Sequence, residues 1–149
     1  MRWMPAVTAL LLVAAAFGAV AEAADKPTQG LRYPCLTPDL EQVVFCYRGD
    51  VWVAPVDGKG PVLRLTLHEA QDTLPRVSPD GKTVAFSSVR NGNYDIFTVP
   101  ITGGRPKQVT FHSAYEAVCD WSPDGKRILF TTNRPADLGR VDLYEVNLE

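Results

Sequence analysis

Cysteine and histidine are scarce in this chain, three and two of 149 residues. No two cysteines have the C-x-x-C spacing of a zinc or redox site. There is no G-x-S-x-G elbow for a hydrolase of that type. An excess of one charge is also missing. Fifteen Lys and Arg face 17 Asp and Glu, a net of −2. Nucleic-acid binding needs a basic patch or stripe, and none is present. Helical signals are weak, whereas 12 Pro and 11 Gly make turn signals frequent.

Only one long apolar run occurs. Ala6 to Val20 is apolar or small throughout, with Thr8 its only polar member. Arg2 precedes the run, and Ala21-Glu22-Ala23 follows as an A-x-A cleavage site. Residues 1–23 therefore read as a secretory signal peptide. The run falls short of the roughly 20 residues that a membrane-spanning helix needs. Residues 24–149 suffice for one modest domain, exported to a periplasmic or extracellular space. Export permits disulfides, but an odd count leaves one thiol over. Cys35 and Cys46 flank a turn at Pro38-Asp39. If that turn matches its relatives below, Cys35 lies opposite roughly Val43, and a Cys35–Cys46 bridge needs a shifted register. Free thiols acting as small apolar side chains are the expectation for Cys35, Cys46 and Cys119.

What is abundant is repetition. Ser78-Pro79-Asp80-Gly81-Lys82 recurs as Ser122-Pro123-Asp124-Gly125-Lys126, and in worn form as Thr37-Pro38-Asp39-Leu40-Glu41. Pro at the second place pre-sets φ, Asp tolerates the bridge region, and Gly takes a left-handed conformation cheaply. The copies are spaced 41 and 44 residues apart, a period that points to solenoids or propellers. Leu40-Glu41 stands where Gly-Lys is expected, which weakens the first turn. Each turn is followed by an apolar pair and Phe: Val43-Val44-Phe45, Val84-Ala85-Phe86, Ile128-Leu129-Phe130. These second strands read as buried on both faces. Next comes Asp with apolar and aromatic residues: Asp50-Val51-Trp52, Asp95-Ile96-Phe97, Asp142-Leu143-Tyr144. The fourth strands end Leu65-Thr66 and Val109-Thr110, and the third unit has no counterpart. The fold class expected is all-β. It consists of about three four-stranded antiparallel blades, the third incomplete, over units of about 31–66, 67–110 and 111–149.

This pattern resembles the PD40, or WD40-like, β-propeller repeat of TolB and of tricorn-like peptidases. Ser78 to Val99 and Trp121 to Tyr144 carry it most specifically. The opening unit, Gly49-Asp50-Val51-Trp52-Val53-Ala54-Pro55 with Leu65-Thr66, is similar to the first blade of the tricorn-like propeller. The resemblance implies an N-terminal substrate-recognition or gating propeller of a serine peptidase whose nucleophile lies in other domains. No residue here matches that nucleophile, so no catalytic residue is expected in this chain. The other member of the class, TolB, implies a non-enzymatic module that binds envelope proteins. Either way the partner is a peptide or protein, and no cofactor is implied.

Several constellations read more simply as structure. Ser78 and Ser122 are turn starters. Pro38, Asp39, Pro79, Asp80, Gly81, Pro123, Asp124 and Gly125 complete the turns. Asp50, Asp95 and Asp142 accept hydrogen bonds from nearby turn backbone, and Trp52, Phe97 and Tyr144 pack beside them. Asn91-Gly92-Asn93-Tyr94-Asp95 opens like a calcium loop, but Ile96 and Thr102 occupy the places of its Gly and Glu. His68 and His112 hold one repeat position in different sheets, where they tie a loop to the neighbouring unit. Arg48-Gly49-Asp50 spells an adhesion tripeptide, yet it is the shortest form of the Arg-to-Asp connection. That connection has one, four and seven intervening residues after Arg48, Arg90 and Arg134. Three blades in an arc leave apolar faces bare, so further blades or self-association are needed to close a ring.

Overall fold

The computed structural model describes residues 30–134 and 140–148. The signal-peptide reading of residues 1–23 lies outside them. The described residues form eleven strands in three antiparallel sheets. The first sheet runs β1 (Arg32–Leu36), β2 (Gln42–Tyr47), β3 (Asp50–Pro55), β4 (Leu63–Arg64). The second runs β5 (Asp72–Val77), β6 (Thr83–Ser88), β7 (Asp95–Pro100), β8 (Lys107–Gln108). The third holds β9 (Glu116–Trp121), β10 (Arg127–Thr132) and β11 (Asp142–Asn147). These are two four-stranded propeller blades and a three-stranded one. The fourth strands are shorter than expected: only Leu63–Arg64 and Lys107–Gln108 join the ladder.

The repeated turn sets the strand register in each sheet. Ser78 N–H donates to Thr83 O at 2.8 Å, and Gly81 N–H donates to Ser78 O at 2.9 Å. Ser78 Oγ donates to Asp80 Oδ1 at 2.6 Å and accepts Thr83 N–H at 3.0 Å. Asp80 also takes Lys82 N–H at 3.1 Å. Ser122 and Asp124 repeat these bonds with Lys126 and Arg127. The worn turn keeps them too. Leu40 N–H reaches Thr37 O at 2.9 Å, and Gln42 N–H reaches Thr37 Oγ1 at 3.0 Å. Leu40 takes φ +63°, beside +73° at Gly81 and +70° at Gly125. A side chain in that region costs about 1 kcal/mol, so the first turn keeps its geometry under local strain.

The first strands are bulged. The β1–β2 register shifts between Arg32 and Cys35, and the β5–β6 register shifts between Thr73 and Arg76. Tyr33 and Leu74 occupy equivalent places with φ of +55° and +52°. The bulge lets β5 begin at Asp72, earlier than the run Leu74 to Ser78 suggests. The turn, closed by Thr37 N–H to Gln42 O, sets Leu36 opposite Val43 and Cys35 opposite Val44, one residue from the expected partner. All three cysteines are free thiols.

Two cores lie between the sheets. Val44, Cys46, Val51, Val77, Val84 and Phe86 pack between the first and second. Ala85, Ile96, Val118, Trp121, Ile128 and Phe130 pack between the second and third. Alternate residues of β6 thus enter opposite cores, and the strand is buried on both faces from Val84 to Ser88. The expectation of two-sided burial holds there. In β10 burial alternates with partial exposure, because only one face meets a sheet.

Candidate functional site

Antiparallel order puts the Ser-x-Asp turns at one edge of the stack. The β2–β3 and β6–β7 connections and the crossings between sheets lie at the other. At that second edge an ion pair recurs. Asp72, at the start of β5, accepts Arg90 Nη2 on both oxygens, each at 2.9 Å. Glu116, at the start of β9, accepts Arg134 Nε at 2.8 Å and Nη2 at 2.6 Å on Oε1. Both acids are fully buried. Each guanidinium also lies against two rings. Arg90 is 5.3 Å from the Phe86 centroid and 4.8 Å from Phe97. Arg134 is 5.3 Å from Phe130 and 5.5 Å from Tyr144. A buried acid needs such a partner, since removing one member strands a charge. The rings add a cation–π attraction of about 1–2 kcal/mol.

Neither acid was singled out by sequence. The available signal was the constant separation of 18 residues between acid and arginine. In the first sheet the acid's place is taken by Leu31, 41 residues before Asp72. Arg48 there is exposed and lies over the Tyr47 ring at 5.4 Å. The turn it occupies is a two-residue hairpin, Arg48 at φ +51° and Gly49 at +90°, closing the Tyr47–Asp50 pair.

The repeated aspartates have partners of two kinds. Asp50 pairs with Arg64 and accepts His68 N–H at 3.3 Å. Asp95 accepts Gln108 Nε2 at 3.1 Å and Asn93 Nδ2 at 3.4 Å. Asp142 pairs with Arg140 at 2.9 Å. Loop backbone is therefore only one of several donors. Trp52 donates its Nε1–H to Tyr47 O at 3.1 Å. Phe97 stacks on Phe86 at 5.9 Å, and Tyr144 tilts against Phe130 at 6.1 Å. The histidine loops do bond to the neighbouring unit, but through backbone: His68 N–H donates to Asp50 Oδ1 at 3.3 Å, and His112 O accepts Asn93 Nδ2 at 2.6 Å. The rings fold the crossing loops themselves, since His68 Nδ1 accepts Ala70 N–H and His112 Nδ1 accepts Ala114 N–H, both at 3.0 Å. Just before them, Leu67 and Phe111 are each 78% exposed.

Electrostatics follow burial and turn geometry. The hydroxyls of Thr37, Ser78 and Ser122, then the backbone N–H groups beyond them, hold Asp39, Asp80 and Asp124 below the usual carboxylate value. Burial, and then the nearby Glu116 carboxylate, raises Asp95. Burial, and then Asp72, pushes the Cys46 thiol up to about 12, so it stays an inert thiol at neutral pH. Ser78 and Ser122 are buried with both hydroxyl roles filled, which leaves neither free to attack a substrate.

Cavities lie at both edges of the stack. One of about 520 Å³ lies between the Ser78–Lys82 and Ser122–Lys126 turns, over Trp121 and beside Lys107. The other, also about 520 Å³, lies at the opposite edge and is lined by Arg32, Tyr33, Tyr47 and Arg48. Among the described residues no group of three metal-ligating side chains is close enough to hold an ion.

Stacked four-stranded sheets with this hairpin order define a β-propeller. Residues 28–149 match the tricorn protease N-terminal beta propeller domain, and the chain belongs to that family. It is 39% identical over 79 residues to tricorn protease homolog 1 of Streptomyces coelicolor, covering 53% of this chain and 7% of that protein. Among solved structures it is similar to a TolB from Agrobacterium tumefaciens, with a TM-score of 0.70 and 22% identity. That match covers 83% of this chain and 47% of the TolB chain. It is also similar to the tricorn protease, with a TM-score of 0.60 and 12% identity over 83% of this chain and 13% of that one. The chain thus spans a small fraction of the tricorn relatives it matches.

Proposed function

We propose that this chain is an exported propeller module that recognises or gates peptide substrates for a tricorn-like serine peptidase. The observation that carries this reading is the family membership over residues 28–149. In this reading the hydrolytic chemistry belongs to domains outside the matched residues. The chain supplies a binding edge, where Leu67 and Phe111 repeat as exposed apolar contacts between polar loops. The test is titration of the chain with fluorescently labelled unstructured peptides, followed by anisotropy and mass spectrometry. Saturable binding with the peptide recovered intact is the expected result, weakened by Leu67→Ser with Phe111→Ser. Cleavage of the peptide by this chain alone would overturn the non-catalytic role.

A second reading is a TolB-like module that binds folded envelope proteins. The backbone likeness to TolB, with the higher of the two TM-scores, favours it at the level of fold. Failure to bind any unstructured peptide would move the reading this way. Export rests on the character of residues 1–23. It predicts a mature chain starting at Ala24, and a secreted chain that keeps Met1 would contradict cleavage there.

A further inference from the structure

The two junctions between sheets carry the same backbone bond at the edge of the β2–β3 and β6–β7 connections. Asp72 N–H donates to Gly49 O at 2.8 Å, and Glu116 N–H donates to Tyr94 O at 3.0 Å. Gly49 and Tyr94 are therefore equivalent, and so are Gln71 and Tyr115, each just before the buried acid. At the second junction the two tyrosine rings meet edge to face, with centroids 5.0 Å apart. At the first junction the same places hold a glycine, which has no side chain, and the exposed Gln71. The cavity of about 520 Å³ at this edge opens there, with Gly49 and Gln71 in its lining.

The walls of this cavity combine rings with positive charge. Tyr47 is held by Trp52, edge on at 6.2 Å, and by Gly30, where a Cβ would sit 3.5 Å from the ring. Tyr33 lines the cavity as well. Two rings beside a gap suit a planar aromatic group in offset or edge-on contact. Asp72 also lines the cavity, but both its oxygens are bonded to Arg90. Arg64, Arg90, Arg127, Arg134 and Arg140 each pair with a carboxylate. Arg32 and Arg48, in the lining, have no such partner among the described residues. In the second and third sheets an arginine over aromatic rings is met by a buried acid, Arg90 by Asp72 and Arg134 by Glu116. In the first sheet Arg48 lies over Tyr47, and Leu31 stands at the acid's place.

We propose that this cavity is a binding site for an aromatic carboxylate, a single ring bearing a carboxyl group. The ring takes the gap that Tyr94 and Tyr115 fill at the second junction. The carboxylate accepts from the guanidinium groups of Arg48 and Arg32, and so supplies the acid that the first sheet lacks. A volume of about 520 Å³ lies within the range of about 300–1,000 Å³ that small-ligand sites occupy. The ligand is either a free aromatic acid or the C-terminal aromatic residue of a peptide, and both present the same ring and carboxylate. The inference does not rest on the peptidase reading, and the lining includes neither Leu67 nor Phe111.

The test is isothermal titration calorimetry of the full chain with phenylacetate, phenethylamine and acetate. Phenylacetate should bind saturably. Phenethylamine has the ring with the opposite charge, acetate has the charge without the ring, and each should bind at least about tenfold more weakly. Arg48→Gln removes a guanidinium, and Gln71→Tyr fills the gap. Each should weaken phenylacetate binding at least about tenfold. Both positions are exposed, so circular dichroism should show each variant folded. A tetrapeptide ending in tyrosine and its C-terminal amide separate the two sources. Binding lost on amidation supports the proposal with peptide ends as the ligand, and phenylacetate binding with neither peptide bound supports it with free acids. Measurable and equal binding of the peptide and its amide would overturn the proposal. So would equal affinity for phenethylamine or acetate, no binding of phenylacetate, or unchanged affinity in either variant.

Discussion

The middle sheet and the third sheet share a sequence pattern but differ in what covers them. Ile96 and Leu143 stand at one repeat position, fully covered in the first case and 63% exposed in the second. Phe86 and Phe130 are both buried, since each faces a preceding sheet. Burial in this stack is therefore set by place in the order as much as by residue type, as expected when each repeat contacts only its neighbours.

The largest break of that comparison comes from the aromatic pairs. Phe86→Ala should cost about 3–5 kcal/mol in urea unfolding, because it empties the core between the first two sheets. Tyr144→Ala, on a side chain 37% exposed, should cost no more than about half as much. Equal losses would contradict the difference between the sheets.

The ion pairs sharpen it next. Asp72 has both oxygens bonded to Arg90, whereas Glu116 Oε2 has no hydrogen-bond partner among the described residues. Asp72→Asn should therefore destabilise by about 3 kcal/mol. Glu116→Gln should cost about 1 kcal/mol, since the amide oxygen still accepts from Arg134. The opposite order in thermal melts would contradict the reading that Asp72 is the more fully bonded of the two acids.

The turns give a smaller contrast. Ser78→Ala leaves Thr83 N–H without its hydroxyl partner and should cost about 1 kcal/mol. Leu40→Gly relieves a left-handed side chain and should stabilise the chain by up to about 1 kcal/mol. A loss of stability at Leu40→Gly would show that the first turn is not strained.

The smallest effect is on pH. Asp39, Asp80 and Asp124 are lowered from 3.8 in the folded chain. Their stabilisation is complete above that unfolded value and is lost as pH falls through the lower folded values. Asp95 has the opposite sign. It is raised, so its contribution is present below 3.8 and is lost as pH rises through its folded value. Asp80→Asn with Asp124→Asn should flatten the acid limb of the melting curve, and an unchanged limb would contradict the turn bonds.

Much of this was legible in the sequence because it is local. The Ser-x-Asp turns, the strands flanking them and the all-β blade order depend on residues within a few positions of each other. The acid–arginine pairs were not legible, because their partners meet across a sheet 18 residues apart. The bulges at Tyr33 and Leu74 were also missed, since neither residue type favours positive φ. The difference between Ile96 and Leu143 has no signature in composition. It arises from whether a sheet stands on the next face.

That difference is tested most directly by hydrogen exchange, strand against strand, on β7 and β11. β7 is bonded to β6 and β8 and covered on both faces, while among the described residues β11 pairs only with β10. Amides of β7 should exchange with the global unfolding of the chain. Those of β11 that face away from β10 should exchange far faster, by local opening. Equal protection in the two strands, or faster exchange in β7, would contradict the order of burial on which this account rests.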